Sequence, residues 1–102
     1  MSKFVVHYKM VVQPGRGEEL LAIYDKMIRT FDDEPGTEVY LLTRSLEDPD
    51  VFWAHELFSS KEAFEEHRAT AVADSFVPAL KALLVSSEAI QGTAVLASGV
   101  DV

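Results

Sequence analysis

The stretch KFVVHYKMVVQ, residues 3–13, constrains the fold more than any other part of the chain. Its β-branched and aromatic residues read as a strand, and Pro14 with Gly15 closes it with a turn. Alternation puts Phe4, Val6, Met10 and Val12 on one face and Val5 and Val11 on the other, so both faces are apolar. An antiparallel strand with one wet face alternates apolar with polar, and this one does not. Something must therefore cover each side of the sheet it joins.

The remaining elements follow from periodicity and punctuation. Over residues 17–31, Leu20, Tyr24, Met27 and Phe31 recur at helical spacing among charged residues, and DDEPG ends the pattern. Residues 37–46 and 51–58 read as two strands joined by the turn EDPD, which makes them a hairpin. Ser59 with Glu62 fits a capping box, predicting a helix to about Ala69. A further helical piece follows, with Asp74 or Ser75 as its cap, Pro78 in its first turn and Phe76, Leu80, Leu83 and Leu84 along its apolar edge. The last strand is read over residues 87–99, with Gly92 as a bulge or a point of close backbone approach.

This order, strand, helix, strand, strand, helix, strand, is the split βαβ or ferredoxin-like arrangement. It predicts an α+β fold with an antiparallel four-stranded sheet, and residues 1–102 as a single domain. The helices of such a fold cover one face. The other is most economically buried against a second copy, so a two-fold homodimer is expected.

Charge narrows the partners. The chain carries a formal net charge of −8, and its nine Lys and Arg residues form no basic stripe, which argues against nucleic acid and membrane surfaces. It has no cysteine, which excludes thiolate catalysis and Cys-based metal sites. Neither a signal-peptide pattern nor a run of the ~20 apolar residues needed for a membrane span is present, so a cytoplasmic protein is expected.

The segment FWAHELFSSKEAFEEHRAT, residues 52–70, holds the candidate chemistry. Helical spacing points His67 with Phe64 toward the sheet, either as a packed core residue or as a group that exchanges protons in a pocket. On the third strand Phe52, Ala54, Glu56 and Phe58 share one face, and Val51, Trp53, His55 and Leu57 share the other. Whichever turns inward brings an ionisable group to the core, where a charge must be paired or neutralised. A hydrogen bond between Glu56 and His67 is the simplest solution, serving as a catalytic pair or as a structural tie. Trp53 and Tyr40 read as core, interface or substrate-stacking aromatics. His7, His55 and His67 lack local ligand spacing, so no metal site is expected. PGRGEE lacks the lysine of a phosphate loop.

The strand ending in PG, the EPG before the second strand, and HELFSSKEAFEEHRAT followed by FVPALKALL resemble the antibiotic biosynthesis monooxygenase (ABM) family of the dimeric α+β barrel superfamily. The resemblance spans roughly residues 3–96. It implies a homodimer with opposed sheets and a small apolar pocket in each subunit. It also implies an activity among cofactor-independent monooxygenases, haem-degrading enzymes or small-molecule isomerases. His67 stands where haem degraders and polyketide oxygenases place a tryptophan, Ala63 where the latter carry an amide, and Tyr8 where haem degraders carry an asparagine. No histidine follows Phe76, which speaks against haem degradation.

The resemblance therefore implies a cofactor-independent monooxygenase acting with dioxygen on a small phenolic, quinol or polyketide-like aromatic substrate. His67 would be the proton acceptor, Glu56 its orienting partner and Tyr8 a donor to the substrate oxygen. Trp53, His55, Tyr40, Arg44 and Phe64 are the candidate pocket residues. An oxygen-independent isomerase or lyase, and a non-catalytic small-molecule-binding dimer, are the alternatives.

Overall fold

The computed structural model describes residues 2–102, with the backbone alone for residues 71–74. Strand β1 (Phe4–Val12) leads to helix α1 (Gly17–Thr30) and a 3-10 turn (Phe31–Asp33). Strands β2 (Thr37–Arg44) and β3 (Val51–Phe58) form the hairpin, and helices α2 (Lys61–Ala69) and α3 (Ala71–Leu83) precede strand β4 (Leu84–Thr93). The sheet order is β2-β3-β1-β4, antiparallel throughout. This is the ferredoxin-like arrangement expected from the element order.

The turn after β1 depends on Gly15, whose φ of +77° lies where side chains other than glycine's are strained. Along α1, Leu20, Tyr24 and Met27 are buried, and Phe31 continues the stripe in the 3-10 turn. They meet Met10, Val12, Phe52 and Ala54 from the sheet and Leu80 and Leu83 from α3 in one core. Burying a Leu, Met or Phe side chain is worth roughly 1.5–3 kcal/mol each, so this cluster is the main source of stability.

Several boundaries differ from the sequence reading. The cap of α2 is Ser60, whose Oγ accepts from the Ala63 N–H at 3.0 Å. Three residues after Ser60 stands Ala63 rather than a glutamate, so the reciprocal box expected from Ser59 and Glu62 does not form. Helix α3 begins at Ala71, ahead of the cap expected at Asp74 or Ser75, and Pro78 falls inside it; the Asp74 side chain lies outside the described residues. Strand β4 starts at Leu84 because that residue pairs with Val12, and it ends at Thr93. The irregularity in its pairing lies at Val11 and Val12, while a Cβ on Gly92 would meet open space.

Gly36 is a true close approach. A Cβ there would sit 2.5 Å from the Ala63 side chain and 3.3 Å from Ser59 Oγ, so β2 enters the sheet pressed against α2. Gly36→Ala is expected to cost about 1–3 kcal/mol, read as a shift of the urea midpoint without a change of slope.

The two sheet faces differ sharply. The inner face packs on the helices. The outer face exposes Val39, Leu41 and Ile90 around a pair of imidazoles, His7 and His55, whose Nδ1 atoms lie 3.1 Å apart. Trp53 stacks on His55, with ring centroids 6.4 Å apart. Among the described residues no helix is long and apolar enough to cross a membrane.

Candidate functional site

The site grows out of the inner face of β3. Phe52, Ala54, Glu56 and Phe58 turn inward and are all buried, which settles the ambiguity of that strand. Across the sheet, Tyr40, Glu56, Val6 and Gln91 form one row and Leu42, Ala54, Tyr8 and Ala89 the next. Ala89, beside Tyr8 on β4, leaves space above the sheet. A cavity of about 400 Å³ opens there, lined by Glu56 and Val6 below and by His67, Phe64 and Leu80 from the helices. All three tyrosines of the chain, Tyr8, Tyr24 and Tyr40, line it as well.

Helix α2 is locked before it reaches the cavity. Phe64 packs its ring on Phe4 and Phe58, with centroids 5.0 and 5.3 Å away. One turn on, the His67 ring lies 4.7 Å from Phe31, 5.2 Å from Phe58 and 5.9 Å from Tyr40. Its partner is not Glu56. His67 Nδ1 donates to Glu34 Oε1 at 2.6 Å, and the same oxygen accepts from Thr37 Oγ1 at 2.8 Å. The 3-10 turn, continued by the Thr37 N–H donating to the Glu34 carbonyl at 3.0 Å, brings this carboxylate beside α2. With Nδ1 engaged, Nε2 is the nitrogen left for chemistry.

Glu56 therefore stands alone. The residue is 7% exposed, its carboxyl has no hydrogen-bond partner among the described residues, and burial pushes its pKa up to about 8. At neutral pH it is mostly a neutral acid, able to donate a hydrogen bond. Tyr24 and Tyr40 share a hydrogen bond of 3.1 Å, and the Tyr24 hydroxyl reaches Met10 Sδ at 3.6 Å. Burial raises both phenols above their ordinary range, so they stay protonated.

Not every expected pocket residue is there. Tyr8, Tyr40, Phe64, Glu56 and His67 come together. Trp53 and His55 lie on the outer face, because strand alternation sends them away from Glu56. Arg44 is taken up elsewhere: it donates to Glu18 at 2.7 Å and to the Pro49 carbonyl at 2.9 Å, tying the hairpin to α1. His7 and His55 meet each other across the sheet from His67, so the three histidines do not converge, and no group of three potential ligands forms a metal site among the described residues.

A second hollow of about 430 Å³ lies on the outer face between the strands and residues Leu96, Ala97, Val100 and Val102. It is the larger of the two, but it is an open groove with a mainly apolar lining. The inner cavity is the better candidate because the proton-bearing groups converge there.

Comparison with known proteins agrees with this architecture. The family model described as antibiotic biosynthesis monooxygenase matches residues 3–82. Protein SO0527 of Shewanella oneidensis superposes with a TM-score of 0.87 at 24% identity, over 94% of each chain. A candidate antibiotic biosynthesis monooxygenase of Caulobacter crescentus gives 0.87 at 25% identity, over 93% of this chain and 92% of its own. PA3566 of Pseudomonas aeruginosa gives 0.85 at 21% identity, over 94% and 97%. No curated protein sequence matches the chain. The family model covers most of the sequence and the fold agrees throughout: the chain belongs to the antibiotic biosynthesis monooxygenase family.

Proposed function

We propose that the protein is a cofactor-independent monooxygenase that oxidises a small phenolic, quinol or polyketide-like aromatic substrate in the inner cavity. The observation that carries this reading is the Glu34–His67 pair beside a buried carboxyl on one largely apolar wall. Dioxygen reacts slowly with closed-shell organic molecules until they become electron-rich. Removing a phenolic or enolic proton makes them so. His67 Nε2 takes that proton, and Glu34 holds the ring and stabilises the imidazolium. Glu56 in its neutral form and the Tyr8 hydroxyl donate to the substrate oxygen as negative charge develops on it. Glu56 thus acts on the substrate, and the orienting role expected of it belongs to Glu34.

In the balanced reaction one atom of dioxygen enters the substrate, and the other leaves as water with two substrate hydrogens. The cavity volume lies in the range of small-molecule sites and suits a fused-ring phenol. A homodimer formed across the outer face would bury Val39, Leu41, Trp53 and Ile90 and would satisfy the cover that β1 needs on its second side.

The same acid and base could move a proton without oxygen, as an isomerase does, because a neutral carboxyl and an imidazole face one cavity. Turnover under nitrogen separates the two. The monooxygenase reading predicts no product from a naphthohydroquinone panel without oxygen and one oxygen consumed per product in air. Equal rates in both atmospheres would establish the isomerase instead.

A further inference from the structure

We infer that the inner cavity selects an aromatic substrate carrying a fixed anionic group, gripped at the mouth by Arg68 and Lys81. The inference rests on reading this cavity as the substrate site and adds the class of substrate. It starts from how the chain spends its cations. Of nine Lys and Arg residues, Lys3, Arg16, Arg29 and Arg44 form ion pairs with carboxylates, while Lys26 and Lys61 stand exposed on α1 and α2 outside the cavity lining. Lys9 lies over the Trp53 ring, on the other face of the sheet. Arg68 and Lys81 line the cavity from α2 and α3, both on exposed residues, and neither has a carboxylate partner among the described residues. In a chain with seventeen carboxylate side chains, two cations that share one opening and have no carboxylate partner among the described residues call for an anion from outside.

Arg68 is also held in place. Its guanidinium sits 5.7 Å over the Phe64 ring, and Phe64 itself is fixed between Phe4 and Phe58. That position over the ring leaves the guanidinium N–H groups open to a carboxylate or sulfonate. Glu65 and Glu66, its exposed neighbours on α2, form no ion pair with it among the described residues. Inside, little opposes an anion. Glu34 stands behind His67, outside the cavity lining, and the buried Glu56 carboxyl, raised to about 8, is mostly neutral at pH 7. The cavity therefore offers aromatic and aliphatic side chains for rings and a positive rim for a charge.

Two fluorescent probes test this directly. 1-Anilinonaphthalene-8-sulfonate and N-phenyl-1-naphthylamine share one ring scaffold and differ in the sulfonate. The wild type is expected to bind the sulfonate about tenfold more tightly at low salt, and the preference should shrink at about 0.5 M salt. Arg68→Gln with Lys81→Gln should erase the preference and leave the neutral probe's affinity unchanged. Lys9→Gln, on the opposite face, should leave the preference intact, and Ala89→Phe, which fills the cavity, should weaken both probes.

Equal affinities in the wild type, binding of neither probe, or a preference that follows Lys9 would overturn the inference. Failure of oxygen uptake with the sulfonate preference intact would instead remove the oxygenase reading and leave the anion site standing.

Discussion

Replacing Glu56 by glutamine is expected to stabilise the protein above pH 8, by roughly 2–4 kcal/mol. The carboxyl has an ordinary pKa of 4.5, and burial raises it to about 8 in the folded chain. Between these values the folded state holds a proton that the unfolded state has released, so stability falls as the pH rises. The contribution is fully present below pH 4.5 and is lost once the pH has passed about 8, where an ionised carboxylate sits among apolar residues. Full conversion of the shift would give on the order of 5 kcal/mol; the cavity beside Glu56 lets solvent relieve part of it, hence the smaller figure. Urea denaturation of wild type and Glu56→Gln from pH 5 to pH 9 measures the gap. It should widen with pH and level off above 8, whereas parallel curves would mean that the group titrates normally. Where Glu56 must donate to the substrate, wild-type activity should decline over the same upper limb.

The second large effect falls on catalysis. His67→Ala removes the proton acceptor and should lower kcat/KM by about 10²–10⁴, the usual worth of a positioned general base. Glu34→Gln keeps the ring in place through a neutral hydrogen bond but no longer stabilises the imidazolium. Its loss should be smaller, about 10–100-fold. Near-wild-type urea midpoints in both variants would tie the losses to chemistry. A His67→Ala enzyme as fast as the wild type would remove the mechanism while leaving the fold untouched.

The fold was open to reading because its signals are local. The double-sided apolar pattern of β1, the stripe Leu20, Tyr24, Met27 and Phe31, and the turn residues at Pro14, Gly15, Pro35 and Gly36 each fix an element within a few residues. The ends of α3 and β4 were harder, since Leu84 fits the helix edge by spacing and joins the sheet only because Val12 offers it a partner. Tertiary pairing outweighs local pattern there.

The site was legible in its side chains and illegible in its pairings. His67 and Glu56 stand out because polar groups on apolar faces need an explanation. Glu34 does not, since DDEPG reads as an ordinary helix stop. It lies 33 residues from His67, and only the 3-10 turn brings the two together. The three acidic residues just before Pro35 were the available hint. Arg68 and Lys81 were hidden for a similar reason: exposed cations on helices look alike until the cavity shows which of them share a rim.

The two sheet faces give the most direct test, because each carries a histidine on or against β3: His67 above the inner face and His55 on the outer. Oxygen uptake during turnover of a naphthohydroquinone should continue within a few-fold of wild type in His55→Ala and nearly cease in His67→Ala. Uptake that survives the loss of His67 and disappears with His55 would place the chemistry on the outer face and contradict the account.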